Sequence, residues 1–416
     1  PAPPAPGVGS IVPLSGPVAF HGRGAGHGVG LSQWGARGRA LAGQTAAEIL
    51  GHYYPGTVVG SVDPRLPVRV LVLSGHRGTA AAPLTLFGRG GAWTIDGSDV
   101  LLPPDARLTL VRSTLGVVAP GSPVAWQLTV RAVTGEPLLD RTVSSELRLR
   151  PAGPTTRLQV WSKPSVYDLY RGDLRIVLGS TASVVNELTL DVYLRGVVPA
   201  EMPATWPLEA LRAQAIVARS YAARRVRSGI GLYDLTDDTR TQVYRGVRAE
   251  RPATTRAILD TTGLVVRDAQ GAIANTLFHA AAAGATESNE SVFVASNGAR
   301  LARPVAYLRS RPDRAADGTP WDDLAGSPWS SWRTATYAPE ALSAILAADP
   351  RTNVGLVLGL GLSDRGASGR LASVTIVGTA GTRTLAATTF QAIFNARRPL
   401  GDPPLRSTWF DLGPIP

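Results

Sequence analysis

Through the middle of the chain, short runs of apolar, often β-branched residues are separated by Gly/Pro turns. Pro67–Leu73, Ala92–Ile95, Arg107–Val111 and Ala125–Ala132 have this form and predict strands. Leu158–Trp161, Leu174–Leu178 and Ser183–Val185 continue the pattern. The period then changes to that of a helix over Pro207–Arg227, where Leu208, Leu211, Ala215, Ala218 and Ala222 share one face. Pro207 and Glu209 suit the start of that helix, and Arg224, Arg225 and Arg227 with Gly229 suit its end. A looser helical pattern covers Gln33–His52, with Gly43 as a break and Tyr53–Gly56 as the closing turn. Further on, the pattern predicts helices at Thr254–Thr261 and Pro339–Ala348. It predicts strands at Ala272–His279, Leu371–Val377, Thr382–Thr388 and Ser407–Leu412. No internal repeat is visible.

One segment fits neither period. From Gly22 to Gly30 every second residue is glycine, with His27 inside the run and Ser32-Gln33 just after it. Each glycine in a regular element costs roughly 0.5–1 kcal/mol relative to alanine. The expected return is close backbone approach to a ligand or to another segment. The run is not a dinucleotide fingerprint, because the sixth position of each candidate frame is His27, Val29 or Leu31. It is not a P-loop, since the chain's one lysine is Lys163. It is not a nucleophile elbow, because one residue too many follows Ser32 before Gly35.

Composition narrows the classes. The 416 residues are 44% hydrophobic, enough for a large core and two or three domains. There is no cysteine, which excludes a disulfide scaffold, a thiol nucleophile and Cys-ligated zinc. The net charge of +11 favours anionic partners: nucleic acid, anionic lipid or an anionic cell-wall polymer. The arginines are scattered without interleaved aromatics, so nucleic acid is not an expected partner. No apolar run reaches the roughly 18 residues of a transmembrane helix. The Pro/Ala-rich opening, residues 1–15, reads as an extended leader after a removed targeting segment, and hence as a sign of export.

The second chemical landmark is Glu201, between Pro199 and Pro203 and ahead of the Pro207–Arg227 helix. It reads as a loop carboxylate at a helix entrance. Apolar neighbours favour its acid form and the helix start favours its charged form. It serves either as a general acid or as a partner of backbone amides.

Together these motifs resemble the SpoIID/LytB family of bacterial cell-wall proteins. Gly26–Ala36 is similar to the family's Gly-His-Gly-x-Gly-Met-Ser-Gln-Tyr-Gly-Ala signature, with Leu31 for Met and Trp34 for Tyr. Ala46–Thr57, Tyr170–Arg175, Val185–Pro203, Glu209–Tyr221, Thr241–Gly246, Gly284–Asn289 and Ser407–Phe410 resemble its other motifs. The resemblance covers 16–60 and about 156–416, but not 64–155.

The resemblance implies an α+β fold: a mixed, β-rich SpoIID-like catalytic core with one long central helix, plus a small inserted all-β domain. The expected division is a leader at 1–15, an N-terminal core piece at 16–62, the inserted β-rich domain at 63–155 and the main core at 156–416. The implied activity is lytic transglycosylation of peptidoglycan glycan strands, with Glu201 as the single acid/base and 1,6-anhydro ends as product. The implied substrate-binding residues are His27, Ser32, Gln33, Arg219, Ser220, Tyr221, Gln242 and Tyr244. A non-catalytic wall-binding module, or a modulator of a cell-wall amidase, is the alternative. No cofactor is expected. The Cys/His metal site of some relatives cannot form here, and Glu48 and His52, one turn apart, read as part of a helix and its end. In the family the Gly-His-Gly motif follows the Ser-Thr-x-Phe strand, whereas here it opens the chain. A circular permutation is therefore expected, with Ala19–Gly30 packed beside Ser407–Leu412 and near Glu201.

Overall fold

Every second side chain is buried in Trp126–Arg131, within the strand expected at Ala125–Ala132, and in Leu84–Arg89, a strand the sequence pattern did not predict. The structure, a computed structural model, describes residues 10–113, 124–227, 229–295 and 299–413. It is α+β and divides into two compact units. One runs to Val58 and resumes with Asp268–Gly271 and from Thr276 onward. The other holds Val59–Arg267 and Ala272–Asn275.

The Val59–Arg267 unit contains two six-stranded sheets. The first has the order Pro137–Val143, Trp126–Arg131, Arg107–Arg112, Leu84–Arg89, Arg157–Val160, Leu169–Tyr170. The second has the order Leu235–Thr236, Pro67–His76, Ala182–Thr189, Asp173–Leu178, Leu147–Pro151, Trp93–Ile95. Neighbours run antiparallel except Leu235–Thr236, which is parallel to Pro67–His76. Strands from 67–151 thus share both sheets with strands from 157–189. The unit begins at Val59, close to the boundary expected at 62, and residue 155 falls inside it, where Leu84–Arg89 pairs with Arg157–Val160 and Pro67–His76 with Ala182–Thr189.

Among the described residues, three α-helices complete this unit: α3 (Leu190–Glu201), α4 (Leu208–Arg225) and α5 (Pro252–Asp260). Two further helices, α1 (Gln33–Leu41) and α2 (Ala46–Tyr53), belong to the other unit. They resolve the looser Gln33–His52 pattern into two pieces, and the break falls at Gly43 (φ +86°). Ser32 caps α1, and a Thr45/Glu48 capping box starts α2.

The unit with the chain's two ends is built around a four-stranded antiparallel sheet: Ile11–Pro13, Val357–Gly361, Ser373–Gly378, Gly381–Ala386. Helices Pro339–Ala347 and Ala387–Arg397 contribute to the same core. Phe20 sits at its centre, 5.3 Å ring to ring from both Phe394 and Phe410 in edge-on contacts. His21–Gly22 is the middle strand between Trp332–Arg333 and Phe410–Asp411. The expected pairing of the glycine-rich segment with Ser407–Leu412 is therefore present, while Glu201 belongs to the other unit.

Three local expectations need correction. Residues 1–9 of the leader lie outside the described residues, and Ile11–Pro13 is an edge strand, not linker. Of the strand expected at Ala272–His279, only Phe278–His279 forms, in parallel with Leu31–Ser32. The strand expected to Thr388 stops at Ala386, where a helix begins that the sequence pattern did not predict.

Candidate functional site

The expected site residues fall in both units. Glu201, Arg219, Ser220, Tyr221, Gln242 and Tyr244 lie in the unit that begins at Val59; His27, Ser32 and Gln33 lie in the other.

Glu201 is the last residue of α3, not a loop residue, and is half-buried. The helix passes through Pro199, whose missing N–H removes one hydrogen bond near its end. It closes with the Met202 amide donating to the Val198 carbonyl at 2.9 Å. The nearest helix end to the carboxyl is thus the negative one, opposite to the reading of a helix entrance. Two tyrosines feel its charge. Tyr193 on α3 is held well above the ordinary phenol value by burial first, then by Tyr244 and Glu201. Tyr221 on α4 is raised by burial, with Glu201 adding to it and Arg225 opposing. The Arg225 guanidinium lies over the Tyr221 ring, 3.3 Å from its centroid, and donates to the Tyr221 carbonyl at 3.0 Å.

Behind Glu201 is a polar chain. The Tyr193 hydroxyl donates to Gln242 Oε1 at 3.3 Å, and the Tyr193 and Tyr244 rings are 5.0 Å apart. Tyr244 donates to Asn186 Oδ1 at 2.8 Å. Asn186, fully buried, donates in turn to the Arg171 and Asp173 carbonyls. This close stacking requires Gly196: a Cβ there would come within 2.6 Å of the Tyr244 ring. Two amides in this unit are conspicuous. Gln214 is fully buried on α4, two turns before Tyr221, and neither of its amide atoms has a partner among the described residues. Gln242 Nε2 is likewise buried and unpartnered there. Unpaired buried amides cost about 1–3 kcal/mol each, and such costs concentrate at functional sites.

Arg219 and Ser220 are fully buried, and their polar atoms are spent inside the fold. Arg219 donates to Asp191 at 2.6 Å and to the Ile258 and Leu264 carbonyls at 3.2 Å. Ser220 donates to the Ile216 carbonyl at 2.7 Å and accepts from the Val266 amide at 2.8 Å. They tie α4 to α3, to α5 and to the strand Leu264–Arg267, so they are positioning residues and not the substrate contacts expected. Sequence reasoning missed Tyr193, Asn186 and Gln214. The available signal was a long polar side chain, Gln214, set among the alanines of α4.

In the other unit the glycine run packs against protein. Gly28 (φ +84°) allows the backbone to lie on the buried Arg370 guanidinium, where a Cβ would come within 2.6 Å. A Cβ on Gly30 would collide with the Leu277 carbonyl. His27 Nδ1 accepts from the Val29 amide at 3.0 Å, and its ring is 5.6 Å from that of His279. Burial, and then the Arg370 charge, lower its pKa to about 4. His279 is pushed well below the ordinary value by burial, His27 and Arg370. Ser32 is fully buried, its Oγ accepting from the Gly35 and Ala282 amides at 3.1 Å. Gln33 is the buried first residue of α1. Glu48 is engaged in the α2 capping box, and His52 Nε2 lies 3.4 Å from the buried Asp313.

Residues 179–267 match the family described as stage II sporulation protein, SpoIID. Over this segment the chain is similar to the SpoIID family. The SpoIID segment holds Glu201 with Tyr193, Gln214, Tyr221, Gln242 and Tyr244, and it does not reach the glycine run. A stretch of 127 residues, 30% of this chain, is 36% identical to an uncharacterized protein of Brachyspira hyodysenteriae and covers 34% of it. A stretch of 120 residues, 29% of this chain, is 32% identical to a protein of Bacillus subtilis named amidase enhancer and covers 15% of it. The match thus spans about a third of the length of the first relative and under a sixth of the second. No solved structure matches the chain. Among the described residues, no helix is long and apolar enough to cross a membrane.

Proposed function

We propose that the SpoIID segment is the catalytic part of an exported peptidoglycan lytic transglycosylase, with Glu201 as its acid and base. The observation that carries this is the half-buried carboxyl at the end of α3, electrostatically joined to Tyr193 and Tyr221. Its carboxylic acid gives its proton to the bridging glycosidic oxygen as the bond from C1 to that oxygen breaks. The C6 hydroxyl of the same sugar attacks C1 and yields its proton to the carboxylate. The acid is restored, no water is consumed, and the new end is a 1,6-anhydro sugar. A single group serves both steps because the nucleophile belongs to the substrate. A water-using glycosidase requires a second carboxyl at about 5–5.5 or 6.5–9.5 Å. Tyr221 and Gln242 are the side chains proposed to hold the glycan, with Tyr193 and Tyr244 positioning them. His27 and Gln33 are proposed as glycan contacts of the glycine-rich segment. The pairing of His21–Gly22 with Phe410–Asp411 supports reading the motif order as a circular permutation.

A second reading has its own support, the similarity to the protein named amidase enhancer. In it the chain binds wall glycan and raises the activity of a separate amidase. Purified peptidoglycan, intact and stripped of stem peptides, separates the two. The first reading expects wild type to release 1,6-anhydro ends seen by mass spectrometry and Glu201→Gln to release none. An inactive wild type on both substrates, together with faster amidase digestion when it is added, overturns the first reading in favour of the second. Equal activity of Glu201→Gln removes Glu201 from the chemistry.

A further inference from the structure

The unit that lacks Glu201 contains a cleft of about 510 Å³. That is within the range of about 300–1,000 Å³ typical of small-molecule sites. Small residues, Ala283–Ala285 and Gly369 among them, form much of its wall and leave backbone close to whatever enters. Ala283 has φ +63°, a left-handed conformation that only Asp105 shares among the described non-glycine residues. The buried Asp322 holds it there, accepting from the Ala283 amide at 2.7 Å. Such conformations cost of order 1–3 kcal/mol and gather at ligand-binding walls.

Three side chains supply the chemistry. Trp409 is partly exposed in the cleft and firmly held. Its amide donates to Ser407 Oγ at 3.0 Å, Arg23 lies 5.5 Å from the ring centroid, and a Cβ on Gly369 would come within 3.0 Å of the indole. A fixed indole offers an apolar, electron-rich plane suited to the C–H face of a sugar ring. Arg314 is exposed and donates to the Gly318 carbonyl at 2.8 Å. Among the described residues it has no carboxylate partner, and none of the lining residues is acidic. Its planar fork suits a carboxylate. Ser310 spends its proton on the Thr286 carbonyl at 2.7 Å, which leaves its oxygen free to accept from a sugar hydroxyl.

We infer that this cleft is a binding site for an acidic saccharide, a pyranose that stacks on Trp409 and carries a carboxylate to Arg314. The inference does not use Glu201 and stands or falls separately from the catalytic reading. The test is calorimetric titration of the full chain with N-acetylmuramic acid, glucuronic acid, N-acetylglucosamine and lactate, monosaccharides being too short to be cleaved. Indole N–H shifts followed by NMR report on Trp409. At least one acidic sugar should bind, perturb an indole signal that Trp409→Phe removes, and lose about tenfold in affinity in Arg314→Ala, the worth of one charge-assisted contact. N-acetylglucosamine should bind more weakly and be indifferent to Arg314→Ala. The tighter of the two acids identifies the source, muramic or uronic. Failure of both acids to bind overturns the inference. So does equal binding by lactate alone, or unchanged affinity in Arg314→Ala and Trp409→Phe. If 1,6-anhydro ends never appear while Arg314-dependent binding persists, only the catalytic reading fails.

Discussion

The Ser407 hydroxyl donates to the Arg23 carbonyl at 2.7 Å, although 384 positions separate the two residues in the chain. The same oxygen accepts from the Trp409 amide, so one serine joins the two ends of the sequence. Ser407→Ala is expected to cost about 1–2 kcal/mol in chemical denaturation. Removing everything after Leu405 should do far more, because Phe410 leaves the ring cluster around Phe20. The expected outcome is loss of the cooperative transition of that unit and early proteolysis within it, read by limited digestion.

Gly28→Ala and Gly43→Ala separate two costs. Both glycines have positive φ, but a Cβ on Gly43 meets nothing within 4 Å, while one on Gly28 strikes Arg370. Gly43→Ala should cost about 1–2 kcal/mol, the price of the left-handed conformation alone. Gly28→Ala should cost a further 1–3 kcal/mol or so for overpacking. Urea denaturation midpoints of the two variants, compared with wild type, measure the difference.

Arg219→Met leaves Asp191 without its cation and is expected to destabilise by about 3–5 kcal/mol. The double change Arg219→Met with Asp191→Leu should recover much of that loss, because both charges are then gone. Glycan affinity of the folded fraction should be unaffected, which distinguishes a positioning residue from a substrate contact. Thermal melts and pull-down on insoluble peptidoglycan give the two readouts.

Acidification should weaken the glycine-motif unit. His27 and His279 have pKa values below the unfolded value of about 6.5, so the unfolded chain binds more protons there. Their contribution is present above pH 6.5 and is lost as the pH falls, for His27 towards 4. For His27 this amounts to up to about 3 kcal/mol. Asp322 works in the opposite sense. Burial raises its pKa to about 6, so its contribution is present at low pH and is lost as the pH rises through 6. Melts between pH 7 and 5 should therefore show a loss of stability that is steeper in Asp322→Asn and shallower in His279→Gln.

Much of the secondary structure was legible because it obeys a local period. The helix expected at Pro207–Arg227 is α4, Leu208–Arg225, and the strand expected at Arg107–Val111 is Arg107–Arg112. Where the reading failed, a local rule was overridden. Two prolines made the surroundings of Glu201 look like loop. Yet α3 continues through Pro199 at the cost of one hydrogen bond in its last turn, and tertiary packing of Tyr193, Leu194 and Val197 holds the helix. The strand expected from Thr382 is present to Ala386, but nothing local distinguished its continuation from the helix that begins at Ala387.

The candidate site was legible in its chemistry but less so in its geometry. Glu201, Tyr221, Gln242 and Tyr244 stand out by residue type, and all lie in one unit. Arg219 and Ser220 are equally polar, but their environment is set by α5 and by Leu264–Arg267, which no window around α4 contains. The glycine run was read as a wall built for close approach, and the approach is to Arg370 and Leu277, residues far away in sequence.

The sharing of one sheet by strands before and within the family match sets where this protein can be cut. Ala182–Thr189, near the start of the SpoIID match, is bonded on one side to Pro67–His76 and on the other to Asp173–Leu178. Both partners precede the match, which begins at residue 179. A fragment trimmed to the family's borders would present that strand with two bare edges, ready templates for aggregation. A piece carrying Glu201 with both edges of that strand covered must therefore begin well upstream, near Val59, on sequence that the family match does not include.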